Sequence, residues 1–525
     1  MSRLYFVIAV LFILSSGFSG YWYCKLTTTN HNNNIRQQHS SPKITTVPTS
    51  INLYFSIPST GKVATILQRR GWKPTKKPSL ASLIWVQNKN KLKTHVKNWK
   101  AKNKTIQQRI NHFKSERELG HKGRLLHYLN AKYGINGYPY MQPSWRMWIP
   151  RERSNFLLTI KKEGMEIFHR RTFITKEAHK DNGAGISIVS SIKELDELLN
   201  TIKNKAKSKQ YKYLIVQKYL TNPLLTLDQK KFDLRIYFLI ASIDPLIVLY
   251  HDGYLRVALD AYNSNINDTN KRGHLTNAKI QKDHNMYVYN QQKESTRRPF
   301  SYLSLLFNRS RSTTTVDDIR CKIERALIKI VQAEKEVIVQ DGKWCPKCFS
   351  LLGADFLIDD GNDENVENDG TENTGHNVWI SEVQSGPGLP STTKTTKQFF
   401  EKELLPNMID IMEEINKKRE LNVKLLYPLE KLGRFHAIIH EKKRNGNREP
   451  EKEEKVMNSC RKKNEVMGKE MSFRVQYRQG NDTTLQATGI VVLVFGLFCI
   501  AGANLIKKAC SIVRRKKTFE SLFEI

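Results

Sequence analysis

Lys231-Phe232-Asp233-Leu234-Arg235 places two opposite charges at alternate positions of an otherwise apolar run that continues through Ile236-Tyr237-Phe238-Leu239. Side chains along a β-strand alternate between faces, so Asp233 and Arg235 point the same way. Opposite charges on one face of an apolar strand mark the wall of a site or a structural ion pair. The stretch therefore predicts a strand over 232–239 that carries both charges on one face. Arg256, after Tyr254-Leu255, is expected to project from a neighbouring strand, with Asp252-Gly253 read as a tight hairpin signal before it.

Other segments fill in an α/β pattern. Phe173-Ile174-Thr175-Lys176 reads as a short strand, followed by a loop through Gly183-Ala184-Gly185. Residues 191–200 carry Leu and Ile at helical spacing, and residues 213–219 and 246–250 read as strands. Residues 316–338 form an amphipathic helix pattern, and residues 397–418 read as a further helix. Residues 351–358 and 378–383 are expected to pair as a hairpin. Between them lies an acidic, polar insertion, residues 359–373.

Several of these pieces, in this order, resemble the tubulin–tyrosine ligase-like family. They are Gln217-Lys218-Tyr219-Leu220, Lys231-Phe232-Asp233-Leu234-Arg235, His274-Leu275-Thr276-Asn277, and Gly353-Ala354-Asp355-Phe356 followed by Ser381-Glu382-Val383-Gln384. The resemblance runs from about Ile110 to Pro390 and is most marked toward the tubulin polyglutamylases. It implies an α/β, ATP-grasp-type ligase with N-terminal, central and C-terminal lobes. It also implies an amino-acid ligase that uses ATP and Mg²⁺ and passes through an acyl phosphate. The implied partners are tubulin or another acidic protein tail, and a free amino acid. Glutamate is favoured because Asn222-Pro223-Leu224-Leu225 and Asp244-Pro245-Leu246 look more like the glutamylases. Glycylation, tyrosination, a lumenal acidic acceptor and a non-catalytic binding module stay open.

By the same resemblance, Lys176 reaches a phosphate and Gly183 and Gly185 admit backbone N–H groups to phosphates. Gln217, Lys218, Tyr219 and Leu220 form the hinge beside the adenine. His274, Thr276 and Asn277 close one side of the site. Arg235 and Arg256 serve the phosphates or the acyl phosphate, with Asp233 beside them. Asp355, Glu382 and Gln384 are the implied metal ligands. The chain departs from the family's pattern at two places: Glu177 follows Lys176 where the family has Pro, and Gln384 stands where it has Asn.

The chain has 86 Lys plus Arg against 50 Asp plus Glu, a formal charge of +36. A field that positive favours a polyanionic partner. No zinc-finger or other nucleic-acid motif is visible, so acidic protein tails fit better than nucleic acid. Cys345-Pro346-Lys347-Cys348 is a lone CxxC without a second ligand pair, which reads as an ordinary pair or a disulfide rather than zinc.

Residues 1–24 look like a signal peptide or anchor: Met1-Ser2-Arg3 precedes an apolar run from Leu4 to Phe18. Residues 25–50 form a polar linker, residues 51–150 an N-terminal lobe, and residues 151–420 the catalytic lobes. Residues 421–486 read as a charged linker, residues 487–506 as a transmembrane helix and residues 507–525 as a basic cytosolic tail. Together these ends predict a single-pass membrane protein of type I orientation. A lumenal catalytic domain conflicts with a cytosolic microtubule substrate.

Overall fold

The computed structural model describes residues 52–57, 61–87, 108–163, 173–180, 183–189, 191–204, 213–264, 270–283, 286–310, 312–361 and 375–441. Their strands are β1 (Leu53–Ile57), β2 (Lys73–Pro74), β3 (Leu83–Val86), β4 (Arg109–Ile110), β5 (Ser144–Arg146), β6 (Phe173–Glu177) and β7 (Ile186–Val189). They continue with β8 (Leu214–Lys218), β9 (Phe232–Ile243), β10 (Leu246–Val257), β11 (Arg297–Pro299), β12 (Ser350–Ile358), β13 (Val378–Ser385) and β14 (His436–His440).

Three sheets result. The first is parallel, in the order β2-β1-β3-β4. The second is antiparallel, β11-β10-β9-β12-β13, with β14 also pairing β10. The third is antiparallel, β5-β8-β6-β7.

β9 is the spine of the second sheet, and its two faces explain its sequence. Phe232, Leu234, Ile236, Phe238 and Ile240 point into one apolar cluster with Ile319, Ile323, Leu327 and Ile330 of the helix Val316–Ala333. The other face is divided. Tyr237, Leu239 and Ala241 pack into a second cluster with Met408, Ile411 and Met412 of the helix Leu405–Glu420 and with Trp72 and Trp85. Asp233 and Arg235, nearer the start of the strand, are left to line a cleft instead. Trp145, Phe156, Phe173 and Val216 form a separate core beneath the third sheet.

The helix Val316–Ala333 starts at a capping box, in which the Thr315 hydroxyl accepts from Asp318 N and the Asp318 carboxylate accepts from Thr315 N. It ends near Glu334, and Lys335–Gly342 follows as a separate helix, so the predicted single helix over 316–338 is two. The expected helix over 397–418 starts at Lys394 and passes through a π turn, Phe399–Leu404, before Leu405–Glu420.

Asp252-Gly253 is not a hairpin turn. The β9–β10 connection is Asp244-Pro245, and β10 runs unbroken through Asp252-Gly253 to Val257. The pairing shifts between His251 and Tyr254, so the two residues form a bulge opposite Ile236. Part of the expected charged linker is folded as well: β14 adds to β10, and Leu426, Leu429, Phe435 and Ile438 are buried.

The fold expectation needs a further correction. Among the described residues no helix is long and apolar enough to cross a membrane. The longest, Val316–Ala333, carries charges at Asp317, Asp318, Arg320, Lys322, Glu324, Arg325 and Lys329, and is apolar only along the stripe it lays on the sheet. The transmembrane helix, the signal or anchor segment, the membrane partner and the single-pass placement are therefore withdrawn. The segments on which they rested, residues 1–24 and 487–525, lie outside the described residues, as do residues 25–50 and 442–486.

Candidate active site

The cleft lies between the second and third sheets. Lys176, Gly183, Gln217, Lys218, Tyr219, Leu220, Asp233, Arg256, His274, Thr276, Asn277, Asp355 and Glu382 line it. Thirteen of the sixteen residues singled out from sequence thus reach one wall or another. Gly185, Arg235 and Gln384 stand just behind.

Strand register builds its floor. Asp233 is the cross-strand partner of Arg256, Arg235 of Asp355, and Asp355 of Glu382. Arg256 Nε donates to Asp233 Oδ1 at 2.7 Å, and its Nη2 donates to Asp355 Oδ2 at 2.6 Å. Arg235 Nε donates to Asp355 Oδ1 at 2.5 Å and its Nη2 to Oδ2 at 3.1 Å. The Thr276 hydroxyl donates to Asp233 Oδ2 at 2.6 Å, which ties the His274–Asn277 loop to the floor. All four charged groups are buried. Burial alone pushes the Asp355 carboxyl up, but the Arg235 and Arg256 guanidiniums outweigh it and hold the carboxyl well below the usual range.

The opposite wall comes from the third sheet. Lys176 Nζ donates to Gln217 Oε1 at 2.7 Å, and Gln217 Nε2 donates to Ser144 Oγ at 2.8 Å. Burial lowers the Lys176 ammonium to about 8, against the opposing pull of Glu382. Gly183 and Gly185, at φ +80° and +68°, turn the chain between β6 and β7 through a region closed to most side chains. Glu177, the first departure from the family pattern, is held 2.7 Å from the Lys180 ammonium, so its charge is locally matched.

Glu382 Oε2 lies 3.1 Å from Lys122 Nζ, and Gln384 Nε2 donates to Glu382 Oε1. Glu382 and Gln384 stand two residues apart on β13 and share a face. Among the described residues no group of three or more His, Cys, Asp or Glu converges as a metal cage. The Asp355 and Glu382 carboxylates, each held by cationic side chains, and the Gln384 amide oxygen still offer an all-oxygen donor set that suits a hard divalent ion.

Several cleft residues were given no role from sequence, among them Lys231 and Lys122. Lys231, 3 % exposed, donates to the Tyr219 hydroxyl at 2.9 Å, and that hydroxyl lies 2.8 Å from His274 Nδ1. Its ammonium also sits over the Tyr219 and Tyr262 rings. The signal was present, since Lys231, Asp233 and Arg235 share one period of two. Lys122, the downstream Lys of a segment that resembles the family, was given no role from sequence; its helix Lys122–Tyr133 meets the cleft through tertiary packing. Cys345 and Cys348 form a disulfide away from the cleft lining. Asp359, placed in the acidic insertion by composition, is buried and accepts from Trp379 Nε1 at 3.0 Å.

Fold and site together describe an α/β protein whose two antiparallel sheets enclose a cleft rich in buried cations and paired carboxylates. The model of the Tubulin-tyrosine ligase family matches residues 99–420, and the chain belongs to that family. Similar proteins include a "Probable beta-tubulin polyglutamylase" of Tetrahymena thermophila, 28% identical over 60% of this chain and 25% of its own length. The "Probable alpha-tubulin polyglutamylase Ttll1" of the same organism is 31% identical over 47% of this chain and 56% of its own length. The "Protein polyglycylase TTLL10" of Rattus norvegicus is 27% identical over 61% of this chain and 44% of its own length. The chain thus spans between a quarter and just over half of these relatives.

Proposed function

We propose that this chain is an ATP-dependent ligase that joins glutamate to an acidic protein tail, with tubulin tails as the first acceptor to test. The observation that carries the reading is the buried Asp233–Arg256–Asp355–Arg235 network, in register with Glu382 and across the cleft from Lys176. A fixed array of cations in a water-poor cleft stabilises charge that builds up during phosphoryl and acyl transfer. The acceptor carboxylate oxygen attacks the γ-phosphorus and ADP leaves. The amine of the incoming amino acid then attacks the acyl carbon, loses a proton and expels phosphate.

In this reading Lys176 holds a nucleotide phosphate, and the hinge from Gln217 to Leu220 frames the base. Thr276 and His274 fix the closing loop, and Arg256 and Arg235 face the transferring group. Asp355 and Glu382, with the Gln384 amide, would hold Mg²⁺, which neutralises phosphate charge when bound. A second reading, glycine in place of glutamate, is favoured by the similarity to a polyglycylase.

The test is incorporation of labelled glutamate, glycine and tyrosine into tubulin and into an acidic peptide, with ATP and Mg²⁺. Glutamate incorporation is expected, with Glu382→Ala reducing it by at least about 100-fold. Incorporation of none of the three would overturn the reading.

Lys176 adds a pH signature. Its ammonium is charged at pH 7 and is lost from the free protein as pH rises through about 8. A bound phosphate favours the charged form, so binding above that pH must take up a proton. The KM for ATP is expected to rise toward about tenfold per pH unit above 8. Lys176→Arg should flatten the rise, because a guanidinium stays protonated there. A flat wild-type profile from pH 7 to 9.5 would remove Lys176 from the phosphates.

A further inference from the structure

Arg297 lies on β11, at the edge of the second sheet, directly across from Arg256. Cross-strand partners share a face, so its side chain leaves the sheet on the cleft side with Asp233 and Arg256. It is 7 % exposed. Among the described residues, the one hydrogen bond of its guanidinium runs from Nη1 to the Thr296 carbonyl oxygen at 2.6 Å.

Two like charges directly opposite each other are destabilising unless something negative lies between them. Arg256 is compensated by Asp233 and Asp355, but Arg297 has no carboxylate partner among the described residues. Asp233 cannot serve both: Arg256 occupies its two oxygens and Thr276 adds to one of them. A buried guanidinium left with one carbonyl keeps most of its donor fork unused. Burial also pulls its proton affinity down, as expected of a cation without a counter-ion.

We infer that Arg297 is a binding residue for a substrate carboxylate, at the end of the cleft opposite the nucleotide. Strand order supplies the second half of the argument. From β11 the sheet steps through β10 and β9 to β12, so Arg297 is three strand spacings, about 14 Å, from the strand of Asp355. Its strand is thus the edge farthest from β12 and β13, which carry Asp355 and Glu382 at the end given to the nucleotide's phosphates. An arginine fork matches a carboxylate in two parallel hydrogen bonds. The inference rests on the proposed ligation, in which both reactants at that end, the free amino acid and the acidic acceptor, carry carboxylates.

The test separates binding from turnover. Free glutamate and a glutamate-rich peptide are titrated separately into the full chain, into Arg297→Ala and into Arg297→Lys, by calorimetry, alongside KM and kcat for both and for ATP. Loss of the fork should weaken one ligand by about 10- to 100-fold in Arg297→Ala. Arg297→Lys should recover part of that loss, and the KM for ATP should stay within about twofold. Weakened free glutamate identifies the amino acid as the carboxylate source; weakened peptide identifies the acceptor. Unchanged affinity for both ligands, or a wild type that binds neither, would overturn the assignment. So would a drop in kcat and thermal midpoint without a change in either affinity, because that is the mark of a strut for β11. If the wild type shows Arg297-dependent binding yet incorporates no amino acid, the ligase reading fails while Arg297 keeps its role.

Discussion

Replacing Asp355 with alanine is expected to stop turnover and to cost the fold about 3–5 kcal/mol. Asp355 is 2 % exposed and accepts from both Arg235 and Arg256. Removing it leaves two buried guanidiniums to share Asp233, and uncompensated buried charge is among the most destabilising changes known. Glu382, one strand further out and half-buried, pairs with Lys122 and Gln384 among the described residues and lacks a guanidinium partner there. Glu382→Ala should therefore lose activity with little change in stability. Comparing denaturation midpoints of the two variants separates chemistry from architecture. Equal midpoints would mean that the Asp355 network adds nothing to the fold. The wild type adds an acid signature. Asp355 titrates below its ordinary 3.8, so its contribution is complete above that pH and fades only as pH falls through the depressed value.

Gly253→Ala is expected to cost the fold at least as much. A β-carbon there would sit 1.5 Å from the Arg235 carbonyl oxygen and 2.6 Å from its carbon. Both are backbone atoms of the central strand and have nowhere to move. The bulge must then open, and β10 must part from β9 at the position that aims Arg235. A loss of about 4 kcal/mol or more follows, the range of the most severe single substitutions. Soluble yield and thermal midpoint measure it. A well-folded Gly253→Ala protein with unchanged activity would mean that the bulge is not held at this approach.

Gly253 also shows where sequence reading reached its limit. Asp-Gly after a β-run carries the same local signal whether the chain turns or bulges. Here the turn was Asp244-Pro245, and the glycine serves a close approach that only the partner strand reveals. The charged face of β9 was legible because a period of two survives in any strand. So was the hairpin that carries Asp355 and Glu382, whereas its alignment with β9 is visible only in the structure. Arg297 was not legible, because β11 comes to the cleft only by packing. β14 was hidden for another reason: five residues, His436–His440, in a charged neighbourhood give too short a pattern to stand out.

The site charges do one thing more, through the divided face of β9. Sliding β9 by one residue against β10 and β12 would exchange its faces. Asp233 and Arg235 would then enter the layer of Ile319, Ile323 and Leu327, and Leu234 and Ile236 would face the cleft. No mispaired sheet can accommodate two ions in that layer, so the residues that make the cleft reactive also act as a key that only the correct alignment of strands accepts. A variant that neutralised both would lose its chemistry and, with it, the strand's means of telling the native pairing from its nearest error.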